Sequence, residues 1–162
     1  MDAATAEVFD AFVRSRHAAL IRYGTVLTGD PHSAADLVQD ALERTGLAWS
    51  RVEQQGDPEG YVRRVMANRN ISTWRKLRRE RLVDAPPEQT HEDRPADDVM
   101  WGVLATLPRR QRTVLVLRYY EDLSEAEIAR VLGIAQGTVK SQASKGIAAL
   151  RAAIGEKEQL WT

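Results

Sequence analysis

The sequence predicts an all-α protein made of two small helical domains joined by a flexible acidic linker. Apolar residues recur at helical spacing along most of the 162 residues, and no segment alternates in the manner of a strand. Residues 83–97 lack this periodicity and are rich in proline and acidic residues, which is the composition of an extended linker. The predicted domains therefore span residues 1–82 and 98–154, and a tail follows at 155–162.

Three helices are predicted in the first domain. The first runs over about residues 3–27, and a Thr-Gly-Asp-Pro sequence then breaks its apolar pattern. The second opens at Asp30 or Pro31 and runs to about Trp49. Residues 50–56 are polar and are predicted to form a loop, after which an Asp-Pro pair starts a third helix over about residues 59–81.

The second and third helices differ in the charge of their exposed faces. The second is acidic, which is common on a solvated helix but also suits a positively charged protein partner. The third is the most basic part of the chain, and amides and hydroxyls lie among its arginines. This combination suits the phosphates and unpaired bases of single-stranded nucleic acid. Trp74 fits either a stacking platform for bases or ordinary half-buried packing.

The second domain is predicted to end in a helix-turn-helix motif. Helices over about residues 98–107 and 109–120 precede it. Ser124 and Glu127 form a capping box that starts the first helix of the motif at residue 125, and Gly133 ends that helix. The second helix starts at about Gln136, and its exposed face combines hydroxyls, amides and two lysines.

An ordinary helical hairpin with a solvated face is the alternative for this motif. The charge distribution favours DNA binding instead. From Gly133 to Arg151 the charged residues are Lys140, Lys145 and Arg151, whereas a face that served only solubility would normally mix both signs.

The composition gives no support for an enzyme, a cofactor or a metal site. Cysteine is absent, and His17, His32 and His91 are scattered without metal-ligand spacing. No glycine-rich phosphate loop or nucleophile elbow occurs. No apolar run approaches the length of a membrane span, and the acidic N-terminal sequence is unlike a signal peptide, so we expect a cytoplasmic protein without membrane insertion.

The order of these blocks resembles a bacterial RNA polymerase sigma factor of the extracytoplasmic-function type, within the sigma-70 family. GDPHSAADLVQDAL is similar to regions 2.1 to 2.2 of the family, and GYVRRVMANRNISTWRKLRRE is similar to regions 2.3 and 2.4. LPRRQRTVLVLRYYEDLSEAEIARVLGIAQGTVKSQASKGIAAL is similar to region 4. The VKSQASKG segment most resembles the actinobacterial branch named after a sigma-E factor.

The resemblance implies that the second helix docks on the β′ clamp helices of core RNA polymerase. Its candidate residues are Asp36, Leu37, Val38, Gln39, Asp40 and Glu43. It also implies contact with the β flap, passage of the acidic linker through the polymerase channel later taken by RNA, and a possible anti-sigma factor as a further partner.

The resemblance likewise implies promoter DNA as a partner. The third helix is expected to recognise and open the minus-ten element, aided by a base-capturing loop at residues 50–56. Its candidate residues are Asn68, Asn70, Ser72, Arg75, Lys76, Arg78 and Arg79. The last helix of the motif is expected to enter the major groove of the minus-thirty-five element. Its candidate residues are Gln136, Thr138, Lys140, Ser141, Gln142, Ser144 and Lys145.

Four positions depart from the family pattern and leave the promoter sequence open. Ser72 stands where aspartate is usual, Arg69 where an apolar residue is common, and Gln142 where arginine is frequent. Ala135 lacks the serine or proline that often begins the recognition helix, so the cap there should be weaker.

Two other functions remain compatible with the residues alone. One is an autonomous helix-turn-helix regulator whose N-terminal helices dimerise or receive a signal, which predicts dimers on palindromic DNA. The other is a helical module that sequesters another protein without touching DNA.

Overall fold

The computed structural model describes the backbone of residues 1–81 and 99–159, and the side chains of residues 1–73 and 102–155. Within those ranges the regular structure is helical, and no strand is present.

The chain forms two compact units, Met1–Lys76 and Leu77–Thr162. The prediction of an all-α fold with two helical domains is therefore confirmed. The boundary between the units falls slightly before the predicted end of the first domain at residue 82. The predicted linker, residues 83–97, lies outside the described residues.

The first unit contains α1 (Ala3–Thr28), α2 (Pro31–Leu47), α3 (Trp49–Gln54) and most of α4 (Pro58–Arg81). These helices begin and end close to the predicted residues, with one exception at α3. Asp30 caps α2, because its carboxylate accepts hydrogen bonds from the backbone amides at the start of the helix.

The prediction of a polar loop at residues 50–56 is wrong. The second helix ends at Leu47 rather than near Trp49, and residues 49–54 form the separate helix α3. Trp49 and Val52, three positions apart, are both buried, so this polar segment has one apolar edge that packs inward. The ring of Trp49 lies 5.1 Å from the Phe9 ring in an edge-to-face arrangement, which anchors α3 against α1.

The core of the first unit forms where α1, α2, α3 and α4 meet. Its side chains are mostly aliphatic, with the aromatic rings of Tyr23 and Trp49 among them, and they are largely removed from solvent. They include Leu20, Leu27, Val38, Val52, Val62 and Met66.

The second unit contains α5 (Val99–Ala105), α6 (Arg109–Leu115), a π-helical turn (Val116–Tyr120), α7 (Glu125–Leu132) and α8 (Gln136–Gln159). A single α-helix was expected over residues 109–120. Its last part is instead a π-turn, because the amide of residue 121 donates to the carbonyl of residue 116 at 3.1 Å.

α8 packs closely on α6 at Gly146. A Cβ atom at this position would lie 3.0 Å from Leu115 Cδ1, so the helices approach to a distance that a larger residue would obstruct. Around this crossing lies a cluster of apolar side chains from α5, the turn after it, α6 and α8. Its members include Leu104, Leu107, Leu115, Ile147 and Leu150.

α8 continues beyond the predicted domain end at residue 154. It reaches Gln159, so residues 155–159 of the predicted tail are helical. The final residues, 160–162, lie outside the described residues.

Candidate nucleic-acid and protein-binding surfaces

The exposed side of α2 forms an acidic face made of Asp36, Gln39, Asp40 and Glu43. Asp36, Gln39 and Glu43 are exposed, and Asp40 is half-buried. Gln39 Nε2 donates to Glu43 Oε1 at 3.2 Å, which holds two of these side chains together one turn apart. The face therefore presents carboxylates to solvent.

Leu37 and Val38 do not belong to this exposed surface. Leu37 is 8% exposed and Val38 is 1% exposed, since both lie on the opposite side of α2 and pack into the core. Both side chains support the acidic face from behind, and their direct part in docking stays a prediction.

Asp40 bridges α2 to the basic helix α4. Its Oδ2 atom lies 2.8 Å from Arg69 Nε and 3.3 Å from Arg44 Nε. The contact with Arg69 joins residues on two helices, whereas Arg44 is one turn away on α2 itself. The bridge joins residues 29 positions apart and was not predicted; its only signal in the sequence is an arginine at a usually apolar position.

On α4, Asn68 and Ser72 lie one turn apart and form a polar pair. Asn68 is exposed, and its Oδ1 accepts a hydrogen bond from Ser72 Oγ at 3.2 Å. The bond engages the amide oxygen, and the Asn68 amide nitrogen makes no hydrogen bond to another described residue. Such a donor suits the edge of an unpaired base.

Asn70 has a different position from the one expected. Its side chain is 3% exposed, and Nδ2 donates to the backbone carbonyl of Leu27 at 3.2 Å. That carbonyl lies in the last turn of α1, where helix carbonyls lack intrahelical partners. In this structure the Asn70 side chain thus serves packing between α4 and α1, and its part in DNA contact stays a prediction.

The remaining minus-ten candidates lie in the C-terminal half of α4. Its backbone is helical through Arg81, but the side chains from residue 74 onward lie outside the described residues. The candidates concerned are Arg75, Lys76, Arg78 and Arg79.

The segment expected to capture a base is now helix α3 and the turn after it. Ser50, Arg51, Gln54 and Gln55 are exposed there, while the buried side of α3 faces the core. Gly56 adopts φ of +80°, which allows the sharp turn that leads into α4.

The helix-turn-helix motif has the predicted bounds and caps. Ser124 Oγ accepts a hydrogen bond from the Glu127 amide at 3.1 Å, and α7 begins at the next residue after the serine. Gly133 ends α7 with φ of +65°, and its amide donates to the Ala129 carbonyl. Local sequence signals alone thus place the turn between α7 and α8.

The first three turns of α8 expose the polar face predicted for DNA reading. Gln136, Lys140, Ser141, Ser144 and Lys145 are exposed, and Thr138 and Gln142 are half-buried. Val139 is completely buried and fixes the opposite side of the helix against the rest of the unit. The exposed groups combine two cations with hydroxyl and amide groups, which matches phosphate and base-edge contacts.

The described part of the chain contains no group of three or more histidine or acidic side chains placed to hold a metal ion. Among the helices in the described ranges, none has the length and apolar character needed to cross a membrane.

Two family models match this chain, one in each of the two predicted domains. The model of sigma-70 region 2 matches residues 10–80, and the model of sigma-70 region 4 matches residues 98–150. The extracytoplasmic-function RNA polymerase sigma factor SigL of Mycobacterium tuberculosis is 34% identical over 167 residues, covering 95% of this chain and 93% of that protein. The chain belongs to the extracytoplasmic-function sigma factors of the sigma-70 family.

Further relatives of this sigma factor agree with that membership. The RNA polymerase sigma-E factor of Streptomyces coelicolor is 39% identical over 152 residues, which cover 88% of this chain and 84% of that protein. The fold is similar to that of the sigma factor RpoE from Bartonella quintana, solved in complex with the anti-sigma factor NepR. The TM-score is 0.68 at 24% identity, covering 92% of this chain and 98% of that one.

The paired region 2 and region 4 matches favour the initiation-factor interpretation over an autonomous regulator or a sequestering module. An autonomous regulator would need a helix-turn-helix, but it would have no reason to match region 2.

Proposed function

We propose that this sigma factor binds core RNA polymerase through the acidic face of α2 and directs it to promoters through α4 and α8. The observation that carries the proposal is the separation of two oppositely charged surfaces on a chain of zero formal net charge. The acidic face suits a basic protein surface, and the α8 face suits DNA.

For polymerase docking, the proposed contacts are Asp36, Gln39, Asp40 and Glu43. The partner is the β′ clamp coiled coil, whose cations would pair with the exposed carboxylates. Because these groups are on the surface, they should contribute to the association rate and specificity as well as to affinity.

For the minus-ten element, the proposed contacts are Asn68 and Ser72, with the arginines and lysine of the C-terminal half of α4 on phosphates. Capture of unpaired bases by amide and hydroxyl groups stabilises the opened strands over the duplex. The exposed residues of α3 are proposed to help hold a flipped base.

For the minus-thirty-five element, α8 is proposed to lie in the major groove. Lys140 and Lys145 would contact phosphates and position the helix, while the amides and hydroxyls would read base edges. In the same proposal, the second unit contacts the β flap and residues 83–97 occupy the RNA channel. The protein acts in the cytoplasm, has no enzymatic activity of its own, and is available to an anti-sigma factor.

The test is run-off transcription with bacterial core RNA polymerase on a promoter library, with and without the protein. Start sites that depend on the protein, together with co-elution of protein and core in gel filtration, support the proposal. Failure to co-elute, with binding to palindromic duplex DNA as a dimer, would instead indicate an autonomous regulator.

Two variants, each with a matched control, test which surface binds which partner. The double variant D36N/E43Q should lose co-elution with core, and the control E53Q, which removes an exposed carboxylate from α3, should retain it. K140Q should weaken minus-thirty-five binding, whereas R151Q should not, since Arg151 is exposed on α8 about 16 Å further along the helix.

A further inference from the structure

Arg69 connects the two functional helices of the first unit. It lies on α4, next to Asn68 of the polar pair, and its Nε is 2.8 Å from Asp40 Oδ2 in the acidic face of α2. The bridge therefore runs from the helix proposed to open DNA to the helix proposed to dock on polymerase.

A second tie starts from the neighbouring residue. Asn70 Nδ2 donates to the Leu27 carbonyl near the end of α1. Successive residues on an α-helix point about 100° apart, so these two ties hold α4 from two directions. Together they restrict rotation of α4 about its own axis and sliding along α1 and α2.

The exposed Asn68 precedes these two ties and Ser72 follows them within the next turn. A rotation of α4 would therefore move both polar groups relative to the acidic face. Docking fixes α2 on polymerase, so the direction in which Asn68 and Ser72 meet the DNA depends on how α4 is held against α2.

We infer that Arg69 is a positioning residue for promoter opening, because its ion pair with Asp40 sets the orientation of the DNA-opening face of α4 on the polymerase-docking helix. The inference rests on the proposed function of both helices. The side chains of Arg69 and Asp40 are 36% and 37% exposed, so the pair contributes little to global stability. Its effect should appear in the opening step.

The experiment is a double-mutant cycle on the full chain bound to core RNA polymerase, with R69M, D40N and the double variant. Each variant is first titrated to saturation of core, so that a docking defect is separated from the later step. The rate of open-complex formation is then measured on duplex promoter DNA.

R69M should bind core with the affinity of the unmodified protein but open DNA roughly three- to five-fold more slowly, the range for a partly exposed ion pair. At saturation D40N should show the same loss, and the double variant should show no further loss. R69K, which keeps the cation, should recover most of the rate.

R44M is the matched control, since Arg44 contacts the same Asp40 oxygen at 3.3 Å from within α2 and, among the described residues, pairs with no group on another helix. It should open DNA at the unmodified rate. The inference would be overturned by additive losses in the cycle, by an unchanged opening rate for R69M, or by an equal loss of rate for R44M. Absence of core binding by the unmodified protein would instead overturn the proposed function and remove the basis of this inference with it.

Discussion

Asn68 and Asn70 lie two residues apart on α4, yet the structure places them in different environments. Asn68 is exposed, and Asn70 is 3% exposed with its amide bonded to the Leu27 carbonyl. Identical side chains therefore serve different purposes, because burial turns an available donor into a structural bond.

N70A should lower the free energy of unfolding by about 1–2 kcal/mol, since it removes a buried hydrogen bond and leaves a helix-end carbonyl without that donor. N68A should change stability by less than about 0.5 kcal/mol, as surface substitutions usually do, but weaken binding to single-stranded minus-ten DNA. Urea unfolding and fluorescence anisotropy measure the two effects. Equal destabilisation by both variants would contradict the assigned environments.

At the scale of the element, the start of α2 depends on the ionised carboxylate of Asp30. The Ser33 hydroxyl above all, and the amides of His32 and Ser33, hold the pKa of Asp30 below its ordinary value of 3.8. A lowered pKa in the folded state stabilises the fold above the unfolded value, and this stabilisation is lost as the pH falls through the folded value.

D30A should therefore cost about 1 kcal/mol at pH 6, as loss of an N-cap usually does, and progressively less below about pH 4. The measurement is urea unfolding of both proteins at pH 6 and pH 3. D10A, which removes an exposed carboxylate from α1, serves as the control. A cost of D30A that stays the same at both pH values would show that ionisation of the cap is unimportant.

The turn between α7 and α8 depends on the backbone conformation of one glycine. Gly133 has φ of +65°, whereas Gly137 lies in α8, and a Cβ atom at either position would meet nothing within 4 Å. G133A should destabilise the protein by about 1–2 kcal/mol through backbone strain alone. G137A should stabilise it by about 0.5 kcal/mol, because alanine restricts the unfolded chain. Thermal unfolding distinguishes the expected destabilisation by G133A from the expected stabilisation by G137A. Stabilisation by G133A would show that the turn tolerates a side chain.

At the scale of the whole molecule, positive and negative charges cancel in the sum but are separated in sequence and structure. The 23 basic and 23 acidic residues give zero formal net charge, yet the acidic face lies on α2 and the cations of the helix-turn-helix on α8. Net charge therefore says little about the partners of this chain, and each surface should respond to salt through its own charges.

K140Q should lower the slope of log affinity against log salt concentration for minus-thirty-five binding by about one, because one phosphate contact is lost. It should leave core affinity unchanged. D36N should do the reverse, weakening core binding while leaving duplex binding intact. DNA affinity across a salt series and core affinity at fixed salt measure these effects. A variant that weakened both interactions equally would show that the two surfaces act as one.

The capped helix ends, the helix-turn-helix and the charged faces were determined by the sequence, because they depend on neighbours within one or two turns. The cap at Ser124 and the turn at Gly133 are of this kind. The tertiary structure decided what depends on distant neighbours. Trp49 holds α3 against the Phe9 ring of α1, and Arg69 pairs with Asp40, which lies 29 residues away in the sequence. Periodicity shows which side of a helix is apolar. It does not show which polar side chains of the same chain meet, because folding alone brings residues distant in the sequence together.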